Sequence, residues 1–495
     1  MDLASLQRIA ENHKTVLDAF SLLAAASACA GAIALRRRPD KAALCLVMLA
    51  AVLALAMGMD DFLHRWDERY HAVVAKHLAI HPLVPTLYEV EVLPLPSDWG
   101  RAHVWVHKPP LALWLMALSL RIFGASELAL RLPSIALFCA AVFATYRLGA
   151  LLFTPGAGLC AAFLAAVNGA LLDVATGRQP TDHPESIFAS LVCLAMLAAA
   201  LHARSGMRRH ALAAGALTGL AILTKSLPAL VVFPCWIALT DFADRPRRRA
   251  TDLALAALLC VAIALPWQLY VNQAFPREAA IEARHALLHL TTALDGHAGT
   301  PFFHLARIPR FFGEASPLVL LYFLWTLRQR GREGRAVALW FGLPYLFFSF
   351  VPTKLANYIL FAAPALFLMI GVALSELLAV LARPAAEASG PEAIPAAQRL
   401  PRPVLALVAL ALFALPVRFL VERWKPFHRF DEERALAASL RVLPARLGQE
   451  KLVLFGSPAP IETMFYTDYA AYPDPPGPEA AARAAAAGLR IVVLP

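Results

Sequence analysis

The sequence predicts an all-α polytopic membrane protein with about 12 transmembrane helices, further helices lying on the membrane surface, and a small C-terminal α/β domain outside the membrane. Three observations carry this. Of the 495 residues, 59% are hydrophobic and only 16% charged, where soluble domains carry about 25% charge; the mean hydropathy is +0.60. The apolar runs at 16–35, 42–58, 127–146, 251–271 and 358–382 approach or exceed the ~20 residues a helix needs to cross a bilayer, and they do not alternate in polarity as barrel strands would. After about residue 420 the apolar pattern gives way to short mixed segments.

Taken in order, spans are expected near 16–35, 42–58, 127–149, 156–175, 185–203, 210–224, 227–241, 251–271, 315–328, 335–351, 358–382 and 403–420. The first residues are mixed in charge, and Arg36-Arg37-Arg38 follows the first apolar run. A signal peptide has the reverse order, so the first span is expected to be retained. Between the second and third spans, 67–80 (DERYHAVVAKHLAI) has the spacing of an interfacial amphipathic helix. Residues 110–123 start with proline, as helices do, and are too short to span comfortably. The stretch 383–402, rich in Pro, Ala and charge, reads as a cytoplasmic linker. Two domains result: 1–420 in the membrane, and 421–495, where DEERALAASLRVLPARL is helical in pattern and KLVLF and RIVVLP are strand-like.

The seven cysteines (29, 45, 139, 160, 193, 235, 260) all fall in apolar runs without metal spacing and read as small packed hydrophobes. The net charge is +10. In a soluble chain that would suggest nucleic acid; in a membrane protein its placement matters more, and no nucleic-acid partner is expected. Arginines mark one set of short loops: 36–38, 147, 204–209, 245–249 and 328–335. By the positive-inside rule these face the cytoplasm. The alternate set then faces outward: 59–126, 176–184, the turn at Lys225, 272–314, 352–357 and the tail.

That outer set holds the chemistry-bearing residues. The segments WDERY (66–70), HKPPLALW (107–114), FGASELALRLPS (123–134), TDHPESIF (181–188), GLAILTKSLPAL (219–230), LPW (265–267) and TKLANYIL (353–360) occur in that order. Together they resemble the GT-C superfamily of polyprenyl-phosphate-sugar-dependent glycosyltransferases, and within it family 39, the protein O-mannosyltransferases and the aminoarabinose transferases that modify lipid A. Two positions depart from the pattern: His107 stands where an acidic residue typically precedes Lys-Pro, and Lys225 is followed by Ser226 instead of Gly. The resemblance implies a GT-C-like fold and inverting transfer of a sugar from a polyprenyl-phosphate donor to a lipid, glycan or protein acceptor. It places this in the bacterial inner membrane, with the site facing the periplasm.

A phosphate leaving group needs cations and an acceptor hydroxyl needs a carboxylate base. Asp67 is the candidate base, against the alternative of a first-turn acid of the 67–80 helix. Asp182 is the second candidate, since the family places an acid there; it could also cap the next span. Glu68 lies beside Asp67 but points ~100° away on a helix, toward substrate or structure. Lys108, extended by two prolines, together with Lys225, Lys354 and Tyr358, is expected to contact the donor phosphate, with Arg69 and Arg131 as secondary contacts. Asp60-Asp61 could bind metal but more simply ends a span. A divalent metal between His107 and His297 is conceivable although no closed zinc spacing exists. A transporter or flippase of a lipid-linked sugar is the other class the sequence allows; it predicts mid-membrane charges and related halves.

Overall fold

The computed structural model describes residues 2–93, 99–382, 401–448 and 450–494; most of the expected linker at 383–402 lies outside the described residues. In chain order the helices are α1 (Leu3–Asn12), α2 (Lys14–Ala34), α3 (Pro39–Gly58), α4 (Asp67–Leu78), α5 (Pro110–Phe123), α6 (Glu127–Leu152), α7 (Pro155–Ala166), α8 (Gly169–Ala175), α9 (Asp182–Ser205), α10 (Arg208–Ile222), α11 (Val232–Leu239), α12 (Pro246–Ala274) and α13 (Pro276–Thr291). They continue with α14 (Ile308–Phe312), α15 (Ser316–Trp325), α16 (Gly331–Phe350), α17 (Ala363–Ala382) and α18 (Arg402–Trp424). The tail adds α19 (Asp431–Arg441), α20 (Leu443–Leu447), β1 (Leu452–Phe455), α21 (Pro460–Tyr466), β2 (Ala470–Tyr472), α22 (Pro478–Ala486) and β3 (Arg490–Val493).

The chain is a multi-pass membrane protein. Each of the twelve expected stretches is largely helical, but fewer qualify as spans. Among the described residues seven helices are long and apolar enough to cross a membrane, or eight if α7 and α8, bent by 56°, form one span. The shortfall has local causes. Residues 227–239 and α15 are short apolar helices, and α16 carries Arg332, Glu333 and Arg335 in its first turns. Helices form at both segments expected to lie on the membrane surface, with Pro110 in the first turn of α5, but α4 is buried on most of its sides within the protein instead of presenting an open apolar face.

Helices α6, α7, α9 and α17 pack around a core of Ala, Leu, Val and Phe. Small residues let them approach closely, as is common between membrane helices. A Cβ on Gly149 of α6 would meet the backbone of Gly158 on α7 at 2.5 Å. The arginine-bearing loops gather at one end. There Tyr146 donates to Asp40 (2.7 Å), Arg208 pairs with Asp252 (2.7 Å), Arg332 with Asp241 (2.8 Å) and Arg204 with Glu333 (3.4 Å).

The tail forms a parallel three-stranded sheet in the order β2-β1-β3. Val453 pairs with Ala470 on one side and Ile491 on the other. Central β1 reads LVLF and is buried throughout, as a strand covered on both faces should be. The short β2, AAY, carries too little pattern to be read from sequence. The tail grips α4. The Lys76 ammonium donates to the carbonyls of Met464 (3.1 Å), Phe465 (3.2 Å) and Thr467 (2.6 Å) at the end of α21, where helix carbonyls lack internal partners. Tyr88 stacks on Tyr472 with centroids 4.7 Å apart.

Candidate active site

The site is built around the start of α4. The loop before it is held by one buried guanidinium. Arg131 donates to the carbonyls of Gly58 (2.9 Å), Asp60 (2.6 Å) and Phe62 (2.7 Å), and forks onto the Glu68 carboxylate (2.8 and 3.0 Å). Glu68 also accepts from the His64 amide (2.5 Å) and lies 3.1 Å from His183 Nε2. Burial alone would raise its pKa, but Arg131, His183 and His64 outweigh that and hold it far below the usual carboxylate range. Gly177 passes so close, at φ +81°, that a Cβ there would collide with the Glu68 carboxylate. Glu68 and Arg131 are both fully buried, which corrects the expectation that they contact substrate: their hydrogen-bonding capacity goes into the loop.

With Glu68 turned inward, Asp67 faces the other way. Its Oδ2 accepts from the Thr181 amide at 3.1 Å. Burial pushes its carboxyl up, but Lys108, His71, that amide and His107 together hold it below the usual range, so it is ionised at neutral pH. The backbone is strained on both sides of this contact: Trp66 has φ +79°, Thr181 φ +71° and Asp182 φ +20°, conformations that non-glycine residues adopt at a cost and that gather at functional sites. Asp182 is fully buried. Its Oδ1 lies 2.9 Å from His71 Nδ1 and accepts the His183 amide; His71 sits edge-on to Trp105, centroids 5.6 Å apart. Asp182 therefore reaches the Asp67 side through His71.

Lys108 lies in a bend just before Pro109, which is itself extended at ψ 156°, with Pro110 opening α5. Its ammonium lies 3.1 Å from His107 Nε2, and among the described residues no carboxylate comes within ion-pair distance of it. His107 Nδ1 is 3.0 Å from Glu282 Oε2 on α13, and its ring stacks on Trp99 at 4.6 Å. Lys225 forms an ion pair with fully buried Glu185 and lies 4.5 Å over the Tyr358 ring. Glu185 was missed in the sequence. The available signal was an acid one turn after Asp182 at the mouth of an apolar span, where an ionisable group is costly.

Other candidate residues are taken up within the fold. The Lys354 ammonium is buried on the carbonyls of Phe348 and Ser349 (2.7 Å each), so it caps α16, and Tyr358 serves Lys225 instead. Arg69 pairs with Glu462 of the tail (3.1 Å). Asp60 is taken by Arg178 (2.7 Å) and Asp61 by Arg434 (3.0 Å). His297 is exposed and meets Lys354 only through its carbonyl, while His107 meets Glu282. Among the described residues no group of three or more His, Cys, Asp or Glu side chains is arranged to hold a metal ion.

Comparison with known proteins now bears on this arrangement. Residues 107–270 match the family described as dolichyl-phosphate-mannose-protein mannosyltransferase. ArnT from Cupriavidus metallidurans, solved bound to undecaprenyl phosphate, superposes with a TM-score of 0.63 at 17% identity, covering 90% of this chain and 87% of that one. The fold is that of the GT-C glycosyltransferases. The archaeal oligosaccharyltransferase AglB from Archaeoglobus fulgidus shares it at TM-score 0.60 and 13% identity, over 91% of this chain and 69% of that one. In sequence, the undecaprenyl phosphate-alpha-4-amino-4-deoxy-L-arabinose arabinosyl transferase of Pseudomonas aeruginosa (strain LESB58) is 31% identical over 373 residues, 68% of this chain and 61% of that protein. The putative mannosyltransferase YycA of Bacillus subtilis (strain 168) is 28% identical over 173 residues, 34% of this chain and 25% of that one. The resemblance to GT-C family 39 read from the motifs thus holds, and the chain spans about three fifths of the length of the Pseudomonas relative.

Proposed function

We propose that this GT-C chain transfers a sugar from a polyprenyl-phosphate donor to an envelope acceptor, with inversion, at the periplasmic face of a bacterial inner membrane. One observation carries the reading. Lys108, a cation with no carboxylate partner among the described residues, stands in electrostatic reach of Asp67, an acid held ionised beside it. The donor's phosphate meets Lys108, with Lys225 on the same wall: the charge of Lys108 acts on Asp67, Glu185 and Lys225 alike. As the bond from the sugar's C1 to the phosphate oxygen breaks, its electron pair goes to the phosphate, and these ammonium groups stabilise the growing charge. The acceptor oxygen bonds to C1 from the opposite face and its proton passes to Asp67. Asp182 orients His71 behind that carboxylate.

The same reading divides the chain into a membrane domain, 1–420, and a periplasmic tail, 421–495. It puts the Arg245–Arg249 loop in the cytoplasm, in keeping with the arginines gathered at the end away from Asp67. A flippase would need ionisable groups along the interior between related halves; the groups named here cluster around the start of α4, where the charge of Lys108 acts on Asp67, Glu185 and Lys225. The test is turnover by the purified full chain in nanodiscs, supplied with a panel of polyprenyl-phosphate sugars and envelope acceptors. Movement of the intact lipid without cleavage of its sugar–phosphate bond would replace this reading. Thiol labelling of single cysteines placed at 245–249 and 285–297 tests the orientation.

A further inference from the structure

We propose that Glu282 is a positioning residue: through the His107 ring it fixes the direction of the Lys108 ammonium. This rests on the reading of Lys108 as the donor-phosphate contact. The two hydrogen bonds of His107 settle its tautomer between them. An ammonium has only protons to offer, so at 3.1 Å Lys108 Nζ donates and His107 Nε2 accepts. Nδ1 then carries the proton of the neutral ring and donates it to Glu282 Oε2 at 3.0 Å.

The ring is also locked in place. It lies parallel to Trp99 at 4.6 Å and edge-on to Trp105 at 5.4 Å, so it cannot swing away from either partner. Burial and the neighbouring Lys108 charge hold His107 well below its ordinary pKa, which keeps the Nε2 lone pair free at neutral pH. The charged and titratable groups facing the ring are Lys108, Asp67 and His71 on one side, and Glu282 and His285 on α13 on the other. Glu282 itself is largely buried, and among the described residues it pairs with no Lys or Arg. A carboxylate so placed, on a helix 175 residues away in sequence from the ring that donates to it, is explained by what that ring holds. With one N–H bound to His107, Lys108 keeps two for a phosphate oxygen. Imidazole held by a carboxylate is the same device that orients ligating histidines around metals, used here on an ammonium.

The experiment measures binding of undecaprenyl phosphate to the full chain in nanodiscs. Wild type is compared with Lys108→Ala, Glu282→Ala, Glu282→Gln, His107→Phe and the double variant Lys108→Ala/Glu282→Ala, each with its melting temperature. Loss of one orienting hydrogen bond should weaken binding about 2–10-fold in Glu282→Ala, and the same in His107→Phe, which keeps the stack on Trp99. Glu282→Gln retains an oxygen for Nδ1–H and should bind within about twofold of wild type. In the Lys108→Ala background the Glu282 substitution should have no further effect, because its only route to the ligand is gone. An equal loss in both backgrounds would mean Glu282 merely supports the fold and would overturn the proposal, as would unchanged binding in Glu282→Ala beside a weakened Lys108→Ala. Unchanged binding in Lys108→Ala would instead remove the phosphate reading, and the relay with it.

Discussion

Asp67 and Glu68 are adjacent, start the same helix and carry the same charge, yet they belong to two different regions. Around Glu68 the hydrogen bonds are saturated: Arg131, His64 and His183 converge on one carboxylate, and three loop carbonyls close the other side of the guanidinium. Around Asp67 the charges are left open. It accepts from one amide, and Lys108, whose charge acts on it, has no carboxylate at ion-pair distance among the described residues. A buried polar cluster whose every member is satisfied rigidifies a fold, whereas a cluster left incomplete next to a strained backbone has capacity for a ligand. The ~100° turn between successive helix residues is enough to separate the two.

The largest effect is expected at Asp67. Asp67→Asn keeps an oxygen for the Thr181 amide, so fold and donor binding should survive, while turnover falls about 10²–10⁴-fold. Asp182→Asn, made in parallel, should keep more activity because it acts through His71. A dead, folded Asp182→Asn beside a near-normal Asp67→Asn would move the base to Asp182. If the loss in Asp67→Asn is small and independent of pH, the acceptor is an already ionised phosphate and Asp67 orients the sugar.

On the saturated side the expected loss is in stability. Arg131→Met strands the Glu68 carboxylate in the interior and should cost about 3–5 kcal/mol, read as a fall in melting temperature. Pairing it with Glu68→Leu should recover most of that, since apolar replacement of a buried pair is often close to neutral. Failure of the double variant to recover would show that the three loop carbonyls, left without a donor, carry the larger share.

Lys108 and Lys354 sharpen the contrast between an open and an occupied cation. Lys108→Ala should weaken donor binding about 10–100-fold, the worth of a charge-assisted contact of about 1.5–3 kcal/mol, with little change in melting temperature. Lys354→Ala should do the reverse, because it exposes the end of α16 and touches no ligand.

The smallest effect is expected where α1 docks. Glu11 lies among Lys14, Asp18 and Asp60, and burial, with Asp60, pushes it up to about 7. A raised pKa in the folded state means stability that is full below the ordinary carboxylate range and lost as pH rises through about 7. Glu11→Gln, which mimics the protonated form, should therefore melt above wild type near pH 8, with the gap closing toward about pH 5. A constant gap across that range would mean Glu11 stays ionised.

The membrane class and the helices at α4 and α5 were legible because each is written locally: in apolar run length, a 3.6-residue period or a helix-opening proline. The sequence misled wherever a partner lies far along the chain. Arg69 meets Glu462 at a separation of 393 residues, and no pattern near WDERY reveals that its arginine turns to the tail. Lys354 looked like a ligand because an isolated Lys beside a span is costly; the carbonyls that satisfy it belong to the end of the preceding helix, whose position depends on where that helix stops. Glu185 was passed over because Asp182, one turn earlier, already filled the expected role. The span count fell short because breaks such as that at Lys225 cut apolar sequence into pieces shorter than the bilayer.

The three carbonyls that Lys76 binds at the end of α21 have a consequence for chain connectivity. The tail is attached to α4 noncovalently, by that ammonium, by Arg69–Glu462 and by the Tyr88–Tyr472 stack, as well as through the peptide at 425–430. A protease that cut there would not set the tail free. The two fragments would stay together through detergent extraction, and 1–425 and 426–495 produced as separate polypeptides should reassociate into one complex.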